Sequence, residues 1–208
     1  MTSTRNPSDP YTHVRVGDEV GEVKREKLDA EREARRRVAL AQIRQYGDPV
    51  LRMRASDVQS FDGDLQRLVE RMTALMQDAN GVGLAATQVG VLQRVLVMQP
   101  TEGDAFALAN PTVAARSDEL ENDDEGCLSL QGVTVPVERS ATITIEGKDE
   151  HGEDVSIDFE GLAARVVQHE LDHLDGVLFI DHLSRLKRER VTKKFAKAAK
   201  REQADADG

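Results

Sequence analysis

Leu65, Leu68, Val69, Met72, Leu75 and Met76 recur at helical spacing, and the pattern predicts an amphipathic helix capped by Asp62 or Asp64. The same period returns at Ala163, Val166, Val167, Leu171 and Leu174. It predicts a second helix with one buried face, between Gly161 and a stop at Gly176. Between the two helices the period changes. Residues 91–98 are apolar and rich in β-branched side chains, which predicts a strand, and residues 105–110 predict another, ended by Pro111. Residues 142–145 and 155–159 alternate apolar and polar positions about a turn signal at Gly152, so they predict a hairpin. Residues 24–37 are charged helix formers suited to a surface helix or a flexible arm, and residues 1–13 are expected to be a disordered leader. No internal repeat is visible. The order predicts an α+β fold, with antiparallel strands around a central helix and a further helix at the C-terminus.

Composition narrows this picture. Hydrophobic content of 39% can build a core, but aromatic content of 3% makes that core mainly aliphatic. No apolar run is long enough to span a membrane, and residues 1–9 lack the apolar stretch of a secretory signal. The single cysteine, Cys127, cannot form an internal disulfide. A cytoplasmic location is therefore expected. The net charge of -10 argues against general nucleic-acid binding. Charge is uneven, however. Asp118, Glu119, Glu121, Asp123, Asp124 and Glu125 form an acidic run, whereas residues 185–201 hold nine Lys or Arg and one Glu. Solvated surface accounts for both runs as readily as function does.

Chemistry enters at His169-Glu170-Leu171-Asp172-His173. Residues four apart share a helix face, so both imidazoles can reach one metal ion with Glu170 beside them. Two ordinary histidines on a packed helix fit the same spacing equally well. A catalytic metal usually takes a third protein ligand and keeps one position open. Cys127, in Glu125-Gly126-Cys127-Leu128-Ser129-Leu130, is one candidate, although most lone cysteines are small buried hydrophobes. A zinc peptidase of the H-E-x-x-H type would instead use a downstream ligand such as Asp181 or Glu189. A third segment is Gly81-Val82-Gly83-Leu84-Ala85-Ala86-Thr87-Gln88. Its first glycine suits a helix C-cap, and its spacing is not that of a dinucleotide fingerprint.

Taken together, G-x-G-L-A-A-x-Q, E-G-C-L-S and H-E-x-D-H resemble the three signature motifs of the peptide deformylases, in the family's order, and the likeness spans roughly residues 38–200. The resemblance implies a charged extension over 1–37, a catalytic domain over 38–184 and a basic helix with a polar tail over 185–208. It implies removal of the formyl group from formylmethionine at the start of nascent peptides. Cys127, His169 and His173 would hold the metal, and Glu170 would transfer the proton. Gln88 and the Leu128 N–H would stabilise the oxyanion. Val82, Gly83 and Gly126 would align the peptide, with the methionine near Val82, Leu162 and Val166. The stem of Arg165 would line that pocket, or Arg165 would simply be a surface residue. The resemblance points to Fe(II), with zinc, nickel or cobalt as substitutes, although zinc suits the donor set by geometry. It also implies a monomer with no membrane association, touching the ribosome through the basic C-terminal helix. One departure is visible: Gln131 stands where family members often have proline, in a groove-bordering loop over 131–135 that looks short.

Overall fold

A computed structural model describes residues 16–99 and 103–206, so the expected leader over 1–13 lies outside the described residues. Four helices and seven strands follow in order: α1 (Val16–Gln42), α2 (Gly63–Asp78), β1 (Gly83–Ala85), β2 (Val95–Met98), β3 (Phe106–Arg116), β4 (Leu120–Cys127), β5 (Leu130–Ser140), β6 (Thr142–Lys148), β7 (Asp154–Glu160), α3 (Gly161–Leu174) and α4 (Arg185–Ala206). Strands β1-β2-β3-β6-β7 form an antiparallel sheet, and β4 and β5 pair as a separate ribbon. This is the α+β class, with α3 as the central helix.

The sheet is sandwiched. Val95 and Val97 of β2 pack in one core cluster with Met72, Leu75 and Met76 of α2. Leu96 and Met98 pack in the other cluster, with Val167, Leu171 and Leu174 of α3. A strand covered on both faces has no polar face to show, so β2 reads as an unbroken apolar run. Each side chain fully buried in this way contributes about 1.5–3 kcal/mol. The strand begins at Val95 and not at residue 91, because Gly90 turns the chain at φ 82° and residues 91–94 only approach the sheet.

Asp62 caps α2, its carboxylate accepting from the N–H groups of Asp64 and Leu65. At the other end the left-handed residue is Asn80, at φ 56°, and not Gly81. A Cβ on Gly81 would stand 2.8 Å from Leu128 Cδ1, so the glycine lets the Leu128 side chain pack close against the backbone there. Strand β3 does not stop at Pro111. The ladder with β6 shifts register between Ala109 and Thr112, and the missing proline N–H falls at that irregularity. Asn110 adopts φ 53° there, and its side chain both accepts from Val58 N and donates to Val58 O. The predicted hairpin is β6–β7, with Ile145 opposite Ile157 and a turn at Gly152 of φ 89°.

Most of the acidic run, from Glu121 to Glu125, lies in strand β4, and residues 131–135, expected as a loop, belong to β5. Helix α1 passes through the expected boundary at 37/38; its Ala39, and Ile43 just after its end, are buried in the cluster under α2. On α4, Val191 and Phe195 pack against Leu51, Leu178 and Phe179, and Phe195 meets the Tyr46 ring edge-on at 5.7 Å. Leu186 is 60% exposed and anchors nothing. Among the described residues no helix is long and apolar enough to cross a membrane.

Candidate active site

Helix α3 carries His169 and His173 one turn apart, both buried, with ring centroids 4.9 Å apart. The β4–β5 ribbon supplies the third group. Its register shifts between Gly126 and Cys127, so the chain turns tightly there and brings Cys127 Sγ within 3.2 Å of His173 Nε2. Donor atoms of Cys127, His169 and His173 all lie within 4.8 Å of one another. The Ser129 N–H donates to Sγ at 3.4 Å. Burial alone would push the Cys127 thiol up; the facing imidazoles outweigh it and hold the thiol well below its ordinary value.

Behind this triad stands a buried ion network. His169 Nδ1 meets Glu125 Oε2 at 3.0 Å, which fixes the ring and leaves Nε2 for the site. Arg139 binds both Glu125 oxygens, at 2.9 and 3.0 Å, and Arg165 adds a third bond at 2.9 Å. Burial would raise the Glu125 pKa, but the bonds to His169 and Arg139 bring it down to about 2. Arg139 reaches on to Asp172, which also meets His182 at 2.7 Å. Arg165 is neither a surface residue nor a stem with its charge in solvent. Its guanidinium is buried on Glu125 and on the carbonyls of Val137 and Glu121. Sequence reasoning gave Glu125, Arg139 and Asp172 no role. Glu125 lies in the E-G-C-L-S motif and Asp172 in H-E-x-D-H, and those positions are the only signal that sets them apart.

Glu170 is buried beside the triad, and Oε2 has no protein partner. Burial raises its pKa to about 7, against the pull of the two imidazoles. Gln88 is anchored through Oε1, which accepts from Ala85 N at 2.8 Å. Its amide nitrogen donates to Ser129 Oγ at 3.1 Å and points toward Cys127 Sγ at 3.6 Å. These groups open into a cleft of about 380 Å³ that also takes in Val82, Gly83, Gly126, Leu128, Leu162 and Val166. Of the nine residues singled out from the sequence as catalytic, substrate-aligning or metal-holding, eight line this cleft, and the ninth, His173, lies against Cys127.

The residues fit a divalent cation. A sulfur held as thiolate and two imidazoles converge, and Glu125, held ionised behind His169, adds negative charge. A buried carboxylate oxygen without a partner costs about 1–3 kcal/mol or more, so Glu170 Oε2 is suited to a site where solvent or substrate will meet it. Among the described residues the cluster has three ligands and no fourth, as in sites that keep a position open.

Residues 40–189 match the family model described as polypeptide deformylase. The chain is 45% identical over 163 residues to the peptide deformylase of Rhizobium meliloti (strain 1021), which covers 76% of this chain and 94% of the relative. It is 43% identical over 162 residues to that of Thermodesulfovibrio yellowstonii, covering 76% and 98%. Among solved structures, the peptide deformylase from Thermotoga maritima superposes with a TM-score of 0.67 at 48% identity, covering 68% of this chain and 96% of that one. The enzyme from Ehrlichia chaffeensis in complex with actinonin does so with a TM-score of 0.73 at 34% identity, covering 76% and 96%.

Proposed function

The chain belongs to the polypeptide deformylase family, and from that premise we propose how its own residues carry out the reaction. It is a metal-dependent hydrolase that removes the N-terminal formyl group from newly synthesised polypeptides and releases formate. Cys127, His169 and His173 would hold the cation, and Fe(II) is the ion we assign, with zinc, nickel or cobalt as substitutes. When bound, such a cation supplies Lewis acidity, which makes water a nucleophile near neutral pH and draws charge from a carbonyl oxygen.

The protein groups do the rest. Glu170 takes the water proton on its unpartnered Oε2 and delivers it to the departing amine. The formyl C–N bond breaks, a C–O bond replaces it, and the products are formate and a free methionine amine. Gln88 Nε2 and the Leu128 N–H donate to the formyl oxygen as it gains charge; donors of this kind are worth about 2.7–4 kcal/mol each. Gln88 is neutral and fixed through Oε1, so it enters the transition state already oriented. Val82, Gly83 and Gly126 align the peptide in an extended pose, with the methionine side chain against Leu162, Val166 and Val82. Glu125, clamped by Arg139 and Arg165, is a positioning residue that acts through His169. The protein works in the cytoplasm as a monomer, and α4 holds it to the ribosome by its basic residues.

The observation that carries this reading is the meeting of Cys127 Sγ, two imidazoles and a buried carboxylate in one cleft. A formyl-methionyl peptide tests it. Formate and new amine should form in equal amounts, with the chain left intact. Cleavage of an internal peptide bond without formate would favour a zinc peptidase instead.

A further inference from the structure

We propose that Arg36, carried by α1 to the rim of the cleft, selects acidic side chains in the substrate downstream of its formylmethionine; this rests on the deformylase reading of that cleft. Arg36 precedes the matched region, which begins at residue 40, yet it lines the same cleft as Gly81, Val82 and Gly83. The sequence explains how. Ala39 and Ile43 lie three and seven residues further on and are buried in the core. Arg36 therefore shares the α1 face that docks onto the domain. Side chains on a helix lean toward its N-terminus, so one turn before the buried contact the Arg36 side chain reaches the cleft's edge.

Its charge is available. The ion pair recorded for Arg36 is with Glu33 Oε1, at 3.7 Å, one turn back on the same helix, and the side chains are 37% and 68% exposed. Such a pair is weak and readily exchanged. The other charges of the cleft are differently placed. Glu125 and Arg165 hold each other, His169 and Glu170 belong to the reaction, and Asp124 is exposed on β4. Arg36 is thus the uncommitted cation among the cleft's described residues.

An extended peptide advances about 3.3 Å per residue, and its first side chain faces the apolar wall at Val82, Leu162 and Val166. Later residues must leave toward the rim. A guanidinium there meets a carboxylate with two parallel N–H bonds, which an amide of the same shape cannot match in charge.

The test uses formyl-methionyl peptides, amidated at the C-terminus, that carry Glu or Gln at the second, third or fourth residue. For the intact protein, Arg36→Ala and Arg36→Glu, the Glu-to-Gln ratio of kcat/KM is measured from formate release. At one position the intact protein should favour Glu by about two- to fivefold, through KM, and added salt should reduce this. Arg36→Ala should lose the preference and Arg36→Glu should reverse it. The same ratio in all three proteins at every position would overturn the proposal. If the intact protein released formate from none of the peptides, the reading of the cleft itself would fail instead.

Discussion

Gly83 lies so close to the reacting groups that a Cβ there would stand 2.5 Å from Glu170 Oε1 and 2.8 Å from Val166 Cγ1. Gly83→Ala should therefore displace Glu170 and lower formate release by about 10²-fold, with metal content unchanged. An alanine variant of full activity would mean that Glu170 has room to move and that the geometry above is looser than described. Glu170→Ala should keep the metal and lose about 10²–10⁴-fold in kcat. Loss of metal from that variant would make Glu170 a ligand. At this scale, the sequence made legible the spacing that sets both imidazoles on one helical face. Beyond its place in the E-G-C-L-S motif, nothing in the sequence set Glu125 apart from Asp123 and Asp124, which share its charge and its strand. Only the pairing of β4 with β5 turns Glu125 inward, onto Arg139. Arg165 was obscure for the same reason, since its partners are carbonyls and a carboxylate from that ribbon.

Elements with a periodic apolar face were legible: α2, α3 and the β6–β7 hairpin bury or half-bury the positions their period marks. The β4–β5 ribbon was not, because β4 exposes nearly all its residues and shows no alternation, and its order comes from its partner strand. Asp181 shows how elements are tied together. It bonds Arg52 in the turn after Pro49, the Leu178 N–H and Arg188 of α4. Burial would raise its pKa; Arg52, the Leu178 N–H and Arg188 outweigh burial and lower it from 3.8. A folded pKa below the unfolded value stabilises the fold fully above that value, and the gain disappears as pH falls through the folded pKa. Asp181→Asn should thus cost about 1 kcal/mol at pH 7. Denaturant midpoints of the two proteins should converge as pH falls below 3.8 and through the lowered folded pKa. A gap that stays constant with pH would show that the carboxylate charge is not what ties these elements.

Across the whole molecule, two additions flank the matched domain. Helix α1 enters the core with Ala39, Ile43 follows just after its end, and α4 rests on the core through Val191 and Phe195. Removing residues from Arg185 onward should leave a folded protein that still deformylates a short peptide. Co-sedimentation with ribosomes at low salt should fall, since phosphate contacts are steeply salt-dependent. Equal co-sedimentation of intact and shortened protein would remove α4 from that role. The cleft itself joins two parts of the fold, with two donors from α3 and one from the β4–β5 ribbon. The most direct measurement of this account is the metal content of folded Cys127→Ala, prepared without oxygen beside the intact protein. One cation per chain is expected in the intact protein and little in the variant, with formate release lost in parallel. Full occupancy and undiminished activity in Cys127→Ala would contradict the account.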